Sequence, residues 1–389
     1  MAAATVAVLA LTAAAGCSGS SLDDSTAKTD NVITIGLIWP KTEPYKSLGD
    51  DMAEGWDLYL ALHGGKLGGH TITTVTADEG NDEATARNSA RKLLDADKAD
   101  VLVGTASAVP SVAIAPEVTK RKVPFIGTGG RPSTLADISY VWHTSWLSRE
   151  TGAAVAPYLA QTVKGPVYAI GPDYQGGKDQ MGGFTDAFAK AGGKLANPDG
   201  ATAWTPFPGT KDYKPFLAKV RSSGAKAVYC FYAGGDAVQF VKDYRDSGLG
   251  NIPLYGAGFL TEGDALTAEA GTADGIYTVL NYAPTVPGSA NAAFVQDFQA
   301  KYSKAPTLYN VTAWDAALLL DQAIAAAGPA PTGASINAAI AKIGQLNSPR
   351  GLWRFNANHE PDDQFFLRQV KFDGRARGNV VITTLNPQS

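Results

Sequence analysis

The stretch Asp100–Arg131, DVLVGTASAVPSVAIAPEVTKRKVPFIGTGGR, decides the fold class. A short apolar run, Val101–Val103, meets the small-residue loop Gly104-Thr105-Ala106-Ser107. An Ala/Val-rich helical pattern follows from about Pro110 to Lys120. A second apolar run, Val123–Ile126, ends in another small-residue loop, Gly127-Thr128-Gly129-Gly130. Strand, loop, helix, strand, loop is one βαβ unit. In open α/β sheets ligands bind outside the carboxyl ends of the strands, where both loops emerge. Glycine lets a ligand approach the backbone, and Ser and Thr hydroxyls with free N–H groups can hold it. On this stretch alone, ligand loops and plain tight turns are equally good readings.

The pattern continues on both sides. Upstream, Val32–Trp39 is a β-branched run that reads as a buried strand. A helix follows from about Asp50 to Leu62, then a strand at Thr71–Thr76 and a helix from Asp82. Downstream of a short strand near Tyr140–His143, the series restarts after Ser148. Strands are expected at Val167–Ile170, Ala201–Trp204, Ala227–Tyr232, Leu254–Gly256 and Ile276–Leu280, with helices between. Three helices (289–303, 308–327, 333–344) and antiparallel strands at Leu352–Phe355, Phe365–Phe372 and Val380–Thr384 complete the chain. Two βα series imply an α/β fold of two Rossmann-like lobes, each a parallel sheet flanked by helices, joined by a hinge that the chain crosses more than once. The expected lobes are 31–148 with 284–355, and 149–283 with 356–389. A pocket between hinged lobes is a favoured small-molecule site.

The 389 residues are 45% apolar and 18% charged, with net charge −4, which suits two globular units and gives no sign of a nucleic-acid partner. Residues 1–17 read as a lipoprotein signal peptide. Ala2–Gly16 is small and apolar but too short to span a bilayer, and Cys17 directly follows Ala-Ala-Gly, as in a bacterial lipobox. The match is imperfect: Ala14 stands where Leu is usual, and no Lys or Arg precedes the apolar run. Lipidation of Cys17 would anchor the protein to the outer face of the cell membrane, with 18–30 as a polar tether. An ordinary cleaved signal is the alternative. The other cysteine, Cys230, lies in an apolar run and reads as a buried, inert thiol.

No catalytic or metal constellation stands out. The four histidines have no ligand spacing, there is no Walker A loop or G-x-G-x-x-G, and Ser107 lacks the second glycine of a nucleophile elbow. Asp78–Glu83 is acidic but lacks EF-hand spacing, and reads as a loop and helix start where carboxylates suit the dipole. No enzyme, cofactor or metal is expected. What remains is binding chemistry. Aromatics stand beside small polar residues at the strand ends: Trp39, Tyr45, Trp142, Trp146, Tyr174, Tyr232, Phe259 and Tyr282, together with Ser107 and Thr128, Gly129, Gly130 and Arg131. Aromatic walls with a few polar anchors are typical of small-molecule pockets. Arg131, the one basic residue in the two central loops, is suited to a bidentate bond with a ligand carboxylate, or to capping its own loop.

At these residues the chain resembles the type I periplasmic binding proteins, and among them the branched-chain amino-acid receptors of ABC transporters. Ile35–Pro44 (IGLIWPKTEP) resembles the family's opening IGxxxPLTGP. Val103-Gly104 through Ala115-Pro116 and then Val123-Pro124-Phe125-Ile126 follows its central pattern. Pro172–Gly177 (PDYQGG) is similar to its DYxxG loop, and Ala313–Ala316 (AWDA) to a late aYDA. Each motif is weak alone; their order and spacing are specific.

The resemblance implies an extracytoplasmic substrate-binding protein that captures a small ligand by clamshell closure and presents it to ABC permease and ATPase subunits. A sensory module that signals rather than feeds a transporter is the alternative. It also implies that Ser107 and the Thr128–Arg131 loop hold a ligand carboxylate, that Tyr174 closes from the second lobe, and that Tyr232 sits in the next ligand-facing loop. The acidic residue that binds the ammonium in the amino-acid receptors has no counterpart at Gly258-Phe259-Leu260; Glu262 comes only later. The expected ligand is therefore an aromatic or aliphatic carboxylate, with a branched-chain or other apolar amino acid as the alternative if Glu262 reaches the site.

Overall fold

The computed structural model describes residue 1, residues 31–362 and residues 364–385. The apolar leader, Cys17 and the 18–30 tether lie outside the described residues.

The first series runs β1 (Val32–Trp39), α1 (Lys46–Leu62), β2 (Lys66–Leu67), β3 (His70–Asp78), α2 (Glu83–Arg91), β4 (Val101–Gly104), α3 (Ala108–Arg121), β5 (Phe125–Gly127) and β6 (Val141–His143). Its sheet has the order β2-β3-β1-β4-β5-β6 and is parallel apart from the short β2. The second series is α4 (Glu150–Thr162), β7 (Val167–Pro172), α5 (Gln175–Lys190), β8 (Ala203–Thr205), α6 (Lys214–Ser222), β9 (Ala227–Cys230), α7 (Gly234–Asp246), β10 (Leu254–Ala257), α8 (Asp264–Glu269) and β11 (Tyr277–Leu280). Then come α9 (Ser289–Tyr302), α10 (Leu308–Ala327), α11 (Gly333–Ile340), the β12 (Leu346–Ser348) and β13 (Gly351–Trp353) pair, β14 (Phe365–Phe372) and β15 (Arg377–Leu385). The second sheet has the order β15-β14-β11-β10-β9-β7-β8, with β14 and β15 antiparallel at one edge.

The mixed α/β architecture with parallel-dominated sheets is the one expected from the sequence, and the strand runs do what their composition demands. In β4, Val101 and Val103 join the core facing α1 and α10, whereas Leu102 joins the core facing α2 and α3. Both faces are covered, so the strand reads as continuously apolar. Each such buried side chain contributes about 1.5–3 kcal/mol. The α1–α10 contact depends on Gly55: a Cβ there would lie 2.0 Å from the Asn310 carbonyl oxygen.

Helix ends follow local chemistry. Asp82 caps α2 by accepting the Thr85 N–H at 2.9 Å. Thr307 and Asn310 cap each other's backbone at the start of α10. Helix α6 starts at Lys214 with Pro215 in its first turn, where the missing N–H costs nothing. The helix expected at 333–344 stops at Ile340, and the short β2 and β12 strands go beyond the sequence reading. The chain passes between the two sheets three times, after β6, after β11 and between β13 and β14. No helix among the described residues is long and apolar enough to cross a membrane.

Candidate functional site

The carboxyl ends of the two sheets face each other, and the loops leaving them build an aromatic cleft. From the first half come Tyr45 after β1, Ala106 and Ala108 at the start of α3, and Gly130 after β5. The crossing after β6 adds Trp146 and Ser148. From the second half come Tyr174 after β7, Phe231 after β9 and Phe259 after β10, and α10 adds Tyr309. Trp146 stacks on Phe259 with ring centroids 4.9 Å apart, and Tyr174 stacks on Phe207 at 4.2 Å. Tyr45 Oη and Tyr174 Oη hydrogen-bond across the cleft at 2.9 Å. These rings fuse the cores of both halves into one apolar cluster. About 20 Å³ of free space remains between the walls, room for a single water and too little for an aromatic ring.

The backbone places the polar groups. The loop after β5 pairs with the crossing segment: the Arg131 N–H donates to the Trp146 carbonyl and the Ser148 N–H to the Arg131 carbonyl, both at 2.9 Å. This pairing sets Trp146 and Ser148 over Gly130. A Cβ on Gly130 would lie 2.6 Å from Ser148 Oγ and 3.3 Å from Trp146 Nε1. The Trp146 indole N–H is buried and has no hydrogen-bond partner. A buried donor left unmade is costly, so this N–H is open to an acceptor atom, as are the buried Trp39 and Trp56 indole N–H groups outside the cleft wall. Tyr45 and Tyr309 are buried and Tyr174 is partly buried, and desolvation raises each phenol, keeping all three neutral.

Three carboxylates near the cleft, Glu79, Asp179 and Glu262, are engaged elsewhere. Glu79 is fully buried and accepts the N–H groups of Ala106 at 2.6 Å and Ser107 at 3.1 Å. The acidic stretch 78–83 is thus more than a surface loop and helix start: it supports the loop after β4 from behind. Asp179 accepts from Ser133 across the two halves, at 3.0 Å from its N–H and 2.6 Å from its Oγ. Glu262 pairs with Arg368 at 3.0 Å and accepts the Leu308 N–H at 2.9 Å. Asp236, near the tyrosines, lies outside the cleft wall.

Of the residues singled out from sequence, the structure brings Tyr45, Gly130, Trp146, Tyr174 and Phe259 together in the wall. Trp39 is buried at the end of β1, outside that wall. Thr128 Oγ1 faces Met52 Sδ at 3.6 Å, and Gly129 packs on the Thr105 and Ala106 carbonyls. Ser107 is the residue before α3, and its neighbours Ala106 and Ala108 face the cleft in its place. Arg131 corrects the expectation of a ligand-facing guanidinium. It is buried and pairs with Glu360 at 3.1 Å, because a guanidinium out of water needs a countercharge. Tyr232 stacks on Phe240 in the core against α7 and bonds Thr205 Oγ1 at 3.1 Å. Tyr282 donates to Asn291 Oδ1 at 3.0 Å. Trp142 donates to Asn337 Oδ1 at 2.7 Å. Ser148 and Tyr309 escaped the sequence reading: neither directly follows a strand. The Thr307 cap two residues before Tyr309 was the one local signal for the latter.

A larger cavity, about 430 Å³, lies between α8, the β14–β15 turn and residues 304–307 and shares no wall residue with the cleft. Its free charges, Asp264 and Arg375, stand exposed at the rim, so the cleft remains the better-built site.

Burial raises the Glu79 carboxyl to about 8, against the pull of its two N–H donors, and raises the unpartnered Glu269 carboxyl to about 9. The folded chain therefore keeps protons that the unfolded chain, with carboxyls near about 4.3, has released. Their contribution is complete below the unfolded value and is lost as pH rises through the folded ones. The melting temperature is expected to fall between about pH 6.5, above which the buried His143 is neutral in both states, and about pH 9, and Glu269→Gln to flatten that slope. Melting curves whose midpoint rises over this interval would contradict the assignment.

Residues 32–376 match the periplasmic binding protein family, and the chain belongs to that family. It is a solute-binding protein of the ABC-transporter type, a binding protein rather than an enzyme. It is 29% identical over 377 residues to Leu/Ile/Val-binding protein homolog 6 of Brucella melitensis, covering 95% of each chain. An R. palustris solute-binding protein solved in complex with benzoate is 30% identical, with a TM-score of 0.82 over 92% of this chain and 97% of that one. A second R. palustris protein, solved with 4-hydroxybenzoate, is 26% identical, with a TM-score of 0.83 over 92% and 98%.

Proposed function

We propose that this protein captures an aromatic carboxylate of the benzoate class for an ABC importer. The lobes 31–148 with 284–355 and 149–283 with 356–389 close over the ligand, with ATP hydrolysed by other subunits. Lipid on Cys17 holds it at the outer face of the membrane, and Cys17→Ser is expected to release it from the membrane fraction. The observation that carries the ligand class is the Trp146 indole N–H, buried and unpartnered beside Ser148 Oγ over Gly130 inside an aromatic cage. The side-chain donors of the wall suit acceptor oxygens, and its rings suit an aromatic body. An amino acid needs an acceptor for its ammonium. Glu262, the candidate by sequence, is occupied by Arg368 and the Leu308 N–H. The benzoate complex of the R. palustris relative supports the same ligand class.

Calorimetric titration of the mature protein with sodium benzoate and with leucine tests this reading. Benzoate is expected to bind with one-to-one stoichiometry, and leucine to give no heat. Tight leucine binding without a benzoate response would overturn it and return the ligand to the amino-acid class.

A further inference from the structure

Glu262 stands where the two halves meet behind the cleft. It follows β10 and is 4% exposed. Its Oε2 receives Arg368 Nη2, from β14 of the second sheet, at 3.0 Å. Its Oε1 receives the N–H of Leu308, the first residue of α10, at 2.9 Å. Helix α10 packs on α1 and so belongs to the first half. One carboxylate thus spans the interface. The next residue extends the contact. Gly263 has φ +58°, and a Cβ on it would lie 2.9 Å from both Asp51 Oδ2 and Thr307 Cγ2 of the first half. Arg368 is itself fixed, donating to the Tyr282 carbonyl at 2.9 Å in the crossing after β11. The carboxylate is held rigidly on one half and reaches the positive end of a 20-residue helix on the other.

We infer that Glu262 is a closing latch: its carboxylate, held by Arg368, docks on the first N–H of α10 when the halves come together and leaves it when they part. The acidic side chain nearest the expected ammonium site thus serves closure instead of ligand recognition. This rests on the clamshell reading above but not on the ligand's chemical class. A ligand gains apparent affinity in proportion to the population of the closed state, so a latch made after binding slows release and leaves association unchanged.

Two variants separate the latch from the ion pair. Glu262→Gln removes the charge. Leu308→Pro removes the donating N–H, trims the buried Leu308 side chain, and leaves Glu262 and Arg368 paired. Proline suits the first helical position, and Thr307 before it already has the extended backbone that a residue preceding proline adopts (φ −102°, ψ 173°). With benzoate as probe in stopped-flow fluorescence, both variants are expected to release ligand about tenfold faster, which is about 1.4 kcal/mol, with unchanged association. Release from Leu308→Pro at the parent rate would overturn the latch, whatever Glu262→Gln does. If the parent protein does not bind benzoate, the ligand reading fails and the latch is read from ligand-free solution scattering. There both variants are expected to be more extended than the parent, and identical scattering would overturn it.

Discussion

Gly130→Leu is expected to abolish benzoate binding, by more than about a hundredfold, while leaving the cooperative unfolding transition in place. Gly130 does not occupy the left-handed backbone region, so a side chain there brings no backbone strain. The whole cost falls on the cleft. The first carbon would stand 2.6 Å from Ser148 Oγ and 3.3 Å from Trp146 Nε1, in the space assigned to the ligand's acceptor oxygens. The rest of a leucine side chain has only about 20 Å³ to enter. The halves would have to stay apart, which costs closure rather than folding. Calorimetry and thermal melts on the same preparation check both parts. Parental affinity in Gly130→Leu would move the ligand away from the Trp146–Ser148 corner.

The largest loss of stability is expected from Asp315→Ala. Asp315 is fully buried in α10, and its Oδ2 accepts from Ser348 Oγ at 2.9 Å, Arg350 Nε at 3.0 Å and Trp353 Nε1 at 3.3 Å. Arg350, equally out of water, donates on to the Thr144 carbonyl at 2.7 Å in the crossing after β6. Removing the carboxylate leaves a buried guanidinium without its countercharge, a change that costs about 3–5 kcal/mol. Replacing both partners, as in Asp315→Leu with Arg350→Met, removes the stranded charge and is expected to recover most of that loss. Urea unfolding measures both. An Asp315→Ala midpoint within error of the parent's would show that the pair carries no net stability.

Three buried arginines are arranged alike. Arg350 with Asp315 holds the crossing after β6, Arg368 with Glu262 holds the one after β11, and Arg131 with Glu360 holds the one between β13 and β14. Each crossing is anchored by a charge pair that solvent does not reach.

Element order was legible from the chain because strand and helix periods are local. The helix read at 308–327 and the strand read at 365–372 stand at those residues, and the loops after β1, β5, β7 and β10 each delivered a cleft residue. The order of the family motifs likewise determined the architecture and the class of protein. Which side chains face one another was decided only by the tertiary structure. Tyr45 and Tyr174 are 129 positions apart and touch; Arg131 and Glu360 are 229 apart and neutralise each other. In sequence, Arg131 and Glu262 both look like free charges beside a ligand loop. In the fold, each meets its countercharge. Burial makes an unpaired charge prohibitive, and the partner that removes the cost comes from a distant strand or helix that no local pattern specifies.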